Sequence, residues 1–329
     1  MYPLLLKPVI KNYIWGGSRL IDEYGFETDS STAAEAWMLT CREKETNTVL
    51  NGEYKGRPIS DVPWVDARAF PLLVKLIDAK DDLSVQVHPS SLCASLYEGD
   101  DEKTEMWYVI DCAGGSSLIF GLNEDYLEKE VRERKERGKT DTTIFGLTEE
   151  KIRKGEYDDV LRRVSVAPGD VFFVEPGTVH AIGKGIFLAE VQQNSDTTYR
   201  VYDYDRAGQD GRPRELHVEK ALDAVRLASD ERHLISDTAY FAPYGKVRSI
   251  VSDKFSSDII ELDGEYTCRS DVFSSVVILS GDAKATYGGG ALGAAKGDSL
   301  YIPENCEVTF YGKCLLLVSR PQKTAPKSE

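Results

Sequence analysis

The sequence predicts a mainly β protein of jelly-roll type with a helical insertion between its strands. Three observations carry this. Short apolar runs punctuated by Gly, Pro, Asp and Asn fill the chain from Met1 to about Asn123, as in AFPLLVKLIDAKDDLSVQVHP and MWYVIDCAGGSSLIFGLN. From Glu124 to Arg163 the text turns to charged stretches with sparse Leu, Val and Ile, such as EDYLEKEVRERKERG, which suits amphipathic helices. Finally, APGDVFFVEPGTVH near Gly169 is echoed by AKGDSLYIPENCEV near Gly297, each reading as a turn, a buried strand and a second turn. The later copy lacks the histidine.

Taken in order, MYPLLLKPVIKNYIW reads as a first strand. Lys7 and Pro8 interrupt its apolar run, and no small-residue cleavage site follows. Residues 124–163 form the helical insertion, whose mixed charges suit a solvated helix face. Strand text resumes at Val164 with SVAPGDVFFVEPGTVHAI and GIFLAEVQQ, and a helix follows around Val218 to Leu227. A strand-rich segment runs from about Tyr240 to Pro321, and residues 322–329 read as a frayed tail. This divides the chain into a large, interrupted β-domain, 1–236, and a smaller one, 237–321.

With 329 residues, 41% of them hydrophobic, the chain can bury one large core or two smaller ones. A net charge of −15 disfavours nucleic acids and anionic membranes as partners. A small anion stays possible, because local Lys and Arg dominate within a Debye length of roughly 8 Å. No run approaches the roughly 20 apolar residues a membrane span needs. The six cysteines form no CxxC pair, so they read as free thiols of a reducing cytoplasm.

Only four histidines occur: His88, His180, His217 and His233. In LSVQVHP, strand alternation puts Ser84, Gln86 and His88 on one face and Leu83, Val85 and Val87 on the other. A solvent-facing strand would alternate in the same way. In KTEMWYVI, Lys103, Glu105 and Trp107 share a face, opposite Met106, Tyr108 and Ile110. A carboxylate on so apolar a strand is either exposed or compensated. PGTVH places His180 just after a turn that ends the VFFV strand, where a loop histidine bonded to its neighbours is the plainer reading. Together Gln86, His88, Glu105 and His180 offer two imidazoles and two oxygen donors, a set suited to a divalent metal with room for water or substrate. Glu190, Gln192 and Asn194 in AEVQQNSDTTYRVYDYDR would share another strand face, with Asp196 and Arg200 following, though a surface loop of self-paired charges is the plainer reading.

KNYIWGG, FPLLVKLIDAKDDLSVQVHP, KTEMWYVID, PGTVHAIGKG and EVQQNSDTTYRVYDYDR occur in that order, and in them the chain resembles the type I mannose-6-phosphate isomerases of the cupin superfamily, especially the short bacterial form. The resemblance is strong over the first two-thirds. It implies a metal-binding catalytic cupin domain followed by a small metal-free cupin-like one, and interconversion of mannose 6-phosphate and fructose 6-phosphate. It further implies one Zn2+ on Gln86, His88, Glu105 and His180, other divalent metals being possible. Trp15, Lys75, Ser84, Lys103, Glu190, Asp196 and Arg200 would surround the substrate. Lys75 and Ser84 would hold the phosphate, and Arg200 would face the reacting carbons. Glu190 is the first choice of base, with Lys103 and Asp196 behind it. Ile182 departs from the Tyr that the eukaryotic enzymes carry two residues after the last histidine ligand. Another metal-dependent cupin enzyme, such as an oxygenase, and a noncatalytic sugar-binding regulator are the alternatives.

Overall fold

The structure, a computed structural model, describes residues 1–98, 102–139, 143–195, 197–208, 210–227 and 235–323. Antiparallel strands dominate it, in three sheets. The six-stranded sheet runs Val171–Val174, Glu105–Cys112, Ile186–Gln193, Leu72–Ala79, Glu35–Leu39 and Val9–Lys11. The five-stranded sheet runs Tyr199–Tyr202, Val85–Val87, His180–Ala181, Ser117–Leu122 and Leu161–Ser165. They share a core of Trp15, Ile77, Leu83, Trp107, Leu118 and Ile182 with their neighbours, which makes them the two walls of one jelly roll.

The six-stranded sheet is buried on both faces. Alternate residues of its central strands, among them Val74, Leu76, Met106, Ala189 and Val191, pack outward on Ile250, Phe255, Ile259, Val277 and Leu317 of the third sheet. Every residue of Leu72–Ala79 and Glu35–Leu39 is therefore buried, and the polar ones among them need internal partners. The five-stranded sheet turns Val85, Val87, Tyr199 and Val201 outward against Ala221, Leu222 and Ala224 of the helix Val218–Leu227 and Ile152 of the helix Ile144–Arg153. Inside the span expected to be helical, Glu124–Glu136 packs Leu127 and Val131 on Leu147. Asn123 and Thr143 cap these two helices, accepting from Tyr126 N and Gly146 N.

The third sheet, nine-stranded, holds the C-terminal strands from Ser236–Ala242 to Val308–Pro321 and curls around a core of its own. It also takes in Leu4–Lys7, which pairs with Ser299–Ile302, and Thr48–Val49 beside it. The expected first strand is split at Pro8: Leu4–Lys7 joins this sheet, so its hydrogen bonds cross the 236/237 division, while Val9–Lys11 joins the six-stranded sheet.

The sequence echo is a structural repeat. Gly169 and Gly297 both have φ of 93°, a conformation that favours glycine. Asp170 and Asp298 each accept from the backbone N of the residue three before, Ala167 and Ala295, at 2.8 Å. At the second turn Gly177 and Asn305 both take positive φ, and Thr178 N to Glu175 O is matched by Cys306 N to Pro303 O.

Candidate functional site

The inner face of the six-stranded sheet carries the polar groups. Leu72–Ala79 pairs with Ile186–Gln193 so that Lys75 lies directly opposite Glu190, which in turn lies opposite Trp107 of the next strand. The ammonium of Lys75 bonds Glu190 Oε1 at 2.7 Å, and Trp107 Nε1 donates to Glu190 Oε2 at 2.9 Å. Burial and the nearby Glu105 charge push the Glu190 carboxyl up, against the pull of Lys75 and Lys103. Burial would lower Lys75, but Glu190, Glu35 and Glu105 around it hold it above its usual value.

The five-stranded sheet faces these groups with Gln86, His88 and His180. Their donor atoms and a Glu105 oxygen identify a cluster, because His88, Glu105 and His180 each place a ligand atom within 4.8 Å of the others. Both imidazoles are oriented by backbone. His88 Nδ1 donates to Thr197 O at 3.0 Å and His180 Nδ1 donates to Thr178 O at 2.8 Å, which leaves both Nε2 lone pairs pointing inward. His88 Nε2 lies 3.1 Å from Glu105 Oε1 and is a buried atom without a hydrogen bond. Burial first, then Lys103, pushes the His88 imidazole down to about 3, so no proton bridges the two. Burial alone would raise the Glu105 carboxyl, but Lys103 at 2.9 Å and His88 pull it well below the carboxylate range. An ionised carboxylate and two neutral imidazoles, fully buried and mutually facing, fit a divalent cation. Gln86 Nε2 donates toward His180 Nε2 at 3.3 Å, and a half-turn of the amide would present its oxygen.

Gln86 and Glu105 also line an open cavity of about 420 Å³. Trp15, Lys75, Ser84 and Lys103 border it, as do Glu190 and Arg200. Every expected site residue among the described ones is therefore at the cavity or in the cluster beside it. Asp196 lies outside the described residues, as does His233. His217 stays out of the cavity, its Nδ1 accepting from Arg200 N at 3.2 Å.

Arg200 stands apart from the other cavity cations. Lys75, Lys103 and Lys11 each pair with a carboxylate. Arg200 instead donates to Ser84 Oγ at 3.3 Å and Glu215 O at 2.9 Å, and among the described residues it bonds no carboxylate. Burial and the neighbouring Arg214 lower its pKa. Arg214 borders the cavity too, held by Asp203 through two bonds.

Two expectations need correction. Leu83 does not turn away with Val85 and Val87; it precedes the strand, bonds Ile182 O through its N and borders the cavity. Asn194 does not continue the face of Glu190 and Gln192, because the strand ends at Gln193 and the Asn194 amide bonds Phe70 O. Sequence reasoning also missed Glu35 and Trp37, bonded to each other at 2.6 Å on the cavity wall, and Lys11, whose ammonium lies 4.7 Å from the Trp37 ring. Alternation in EAWML, polar or aromatic against Ala and Met, was the available signal.

The chain is similar to known proteins along most of its length. Residues 4–111 match the family described as phosphomannose isomerase type I, catalytic domain. Mannose-6-phosphate isomerase ManA of Bacillus subtilis is 35% identical, over 95% of this chain and 98% of its own. A mannose-6-phosphate isomerase of Streptococcus mutans is 34% identical over 92% of each. The crystal structure of the Bacillus subtilis enzyme superposes with a TM-score of 0.83 at 33% identity, covering 97% of this chain and 100% of that one. A phosphomannose isomerase from Salmonella typhimurium, at 16% identity and a TM-score of 0.74, shares the fold.

Proposed function

The chain belongs to the type I mannose-6-phosphate isomerase family, and from that premise we propose that its cavity moves a proton between C1 and C2 of mannose 6-phosphate and fructose 6-phosphate through a cis-enediol. The observation that carries this reading is the meeting of two imidazole lone pairs and an ionised carboxylate beside a buried carboxyl whose pKa is raised. Gln86, His88, Glu105 and His180 would hold one cation, which we take to be zinc; when bound it supplies Lewis acidity toward substrate oxygens.

The chain's own residues do the rest. Glu190 is the base, its two oxygens aimed by Lys75 and Trp107 and its proton affinity raised by burial. Lys103, bonded to Glu105, and Asp196 are the candidates for the base behind Glu190. Arg200 faces the enediolate with a charge that no carboxylate among the described residues neutralises. Ser84, on the cavity wall, would be a hydroxyl donor to the phosphate. Lys75 in that role would share its ammonium with Glu190. Trp15, buried, forms apolar wall. We take residues 1–236 as the catalytic unit and 237–321 as the smaller barrel. Free thiols at all six cysteines support a cytoplasmic setting.

A coupled assay of mannose 6-phosphate isomerisation tests the reading. Turnover should vanish on chelation and return with a divalent metal; a metal-loaded protein without turnover would overturn it. Arg200→Ala should keep its metal and lose about 10²- to 10³-fold in kcat, the usual cost of one preorganised oxyanion donor. A kcat near wild type would place Arg200 outside the chemistry.

A further inference from the structure

Lys103 lies outside any strand: the strand that carries Glu105 begins at Glu105 itself, and residues 102–104 are irregular yet buried. Two anchors bracket this stretch. On one side Thr104 N donates to Gln193 Oε1 at 3.1 Å, and Gln193 N returns a bond to Thr104 O at 3.2 Å. On the other side the Glu102 carboxylate, 5% exposed, pairs with the ammonium of Lys254, 24% exposed.

Lys254 comes from the C-terminal sheet, on the turn that joins Gly245–Val251 to Phe255–Cys268. That turn is tightly held. Ser252 Oγ donates to Phe255 O and accepts from Lys254 N and Phe255 N, while Gln322 N bonds Lys254 O at 3.0 Å and Gln322 Nε2 bonds Ser252 O at 2.6 Å. A rigid turn thus presents a cation to a buried carboxylate one residue before Lys103. Lys254 also lies 3.3 Å from its neighbour Asp253, and without the ammonium the buried Glu102 carboxylate would lose a compensating charge and draw its neighbours toward water.

We propose that Lys254 is a positioning residue for the active site: through Glu102 it fixes residues 102–104, and so sets where the Lys103 ammonium meets Glu105 and the substrate. The C-terminal sheet then contributes to catalysis without touching substrate. The inference rests on the isomerase reading for its effect on rate, and on geometry alone for its effect on residues 102–104.

The experiment compares Lys254→Met and Lys254→Arg with wild type. Hydrogen exchange is measured on the metal-free protein, then kcat, KM and metal content on the loaded one. Lys254→Met should speed exchange at 102–105 with the strand Leu72–Ala79 unchanged. It should also lower kcat on the order of 10-fold at near-constant KM and metal content, since misplacement by an ångström can cost up to about 10²-fold. Lys254→Arg, which keeps the charge, should restore both. Unchanged exchange at 102–105 in Lys254→Met would overturn the proposal whatever the activity. So would faster exchange with kcat within twofold of wild type, or exchange that rises throughout the barrel. A wild-type enzyme without turnover would count against the isomerase reading, while the exchange comparison still decided the anchoring.

Discussion

The two barrels of this chain repeat one plan and fill its centre in opposite ways. Shared hydrogen bonds align them. Gly169 N bonds Val109 O as Gly297 N bonds Ile278 O, and Gly177 N bonds His88 O as Asn305 N bonds Ser270 O. Glu105 pairs with Val174 where Ser274 pairs with Ile302, and His180 pairs with Gln86 where Val308 pairs with Cys268. The counterparts of Gln86, His88, Glu105 and His180 are thus Cys268, Ser270, Ser274 and Val308. In the second barrel the Arg320 guanidinium occupies that neighbourhood, donating to Ser274 Oγ at 3.1 Å, Tyr266 Oη at 3.1 Å and Asp258 Oδ2 at 2.8 Å, with Cys268 Sγ 3.7 Å away. The first barrel converges imidazole and carboxylate lone pairs, of which His88 Nε2 finds no hydrogen bond among the described residues; the second closes its centre with a covalently attached cation. A jelly roll of this kind accepts either solution, and only the first leaves an opening for chemistry.

The sharpest break is at the donors. His88→Ala, His180→Ala or Glu105→Ala should lose metal by more than the roughly 10- to 100-fold that removal of an outer partner costs, and activity with it. Metal analysis checks this, and full occupancy in all three would dissolve the contrast.

Arg320→Met should do the reverse, leaving kcat and metal content intact while destabilising the fold. Its side chain and that of Asp258 are 17% and 20% exposed, so we expect about 2–3 kcal/mol, below the roughly 3–5 of a fully buried pair, read from urea unfolding. A lost kcat would mean that the second centre serves the first.

Acid should separate the centres next. Burial lowers His88 from 6.5 to about 3, and lowers His180 as well, so below pH 6.5 the unfolded chain binds protons that the folded one refuses. Stability of the metal-free protein should therefore be fully kept above pH 6.5 and fall as pH drops, by about 2 kcal/mol at pH 5 for His88 alone. Arg320, a guanidinium throughout this range, should add nothing to the slope. A Tm flat from pH 7 to 5 would sink the assignment of neutral, buried imidazoles.

The smallest effect tests the repeat itself. Gly169→Ala should cost about 1–2 kcal/mol, because the glycine sits at φ of 93° with open space for a Cβ, and Gly297→Ala should cost more, because at the same φ the added Cβ would also crowd Phe26 at 3.3 Å and Tyr24 at 3.4 Å. A larger loss at Gly169 than at Gly297 would argue that the two turns only look alike.

Much of this was legible in the sequence because alternation is local. SVQVH and TEMWY assign a face to each residue without knowledge of its partner, and the APGD and AKGD turns announce the repeat through residue types that the turn geometry demands. Convergence was not legible. That Lys75 would pair with Glu190, or that Thr197 O would orient the His88 imidazole, depends on how segments about a hundred residues apart come together. Arg320 was silent for the same reason. Alternation also failed where no strand existed to impose it, at Leu83 and Asn194.

The pairing of Leu4 with Tyr301 has a bearing on how the molecule is made. Leu4–Lys7 is paired on one edge with the nearby Thr48–Val49 and on the other with Ser299–Ile302, so its second edge waits for a partner from the far end of the fold. Contacts so distant in sequence slow folding and prolong exposure of an apolar edge.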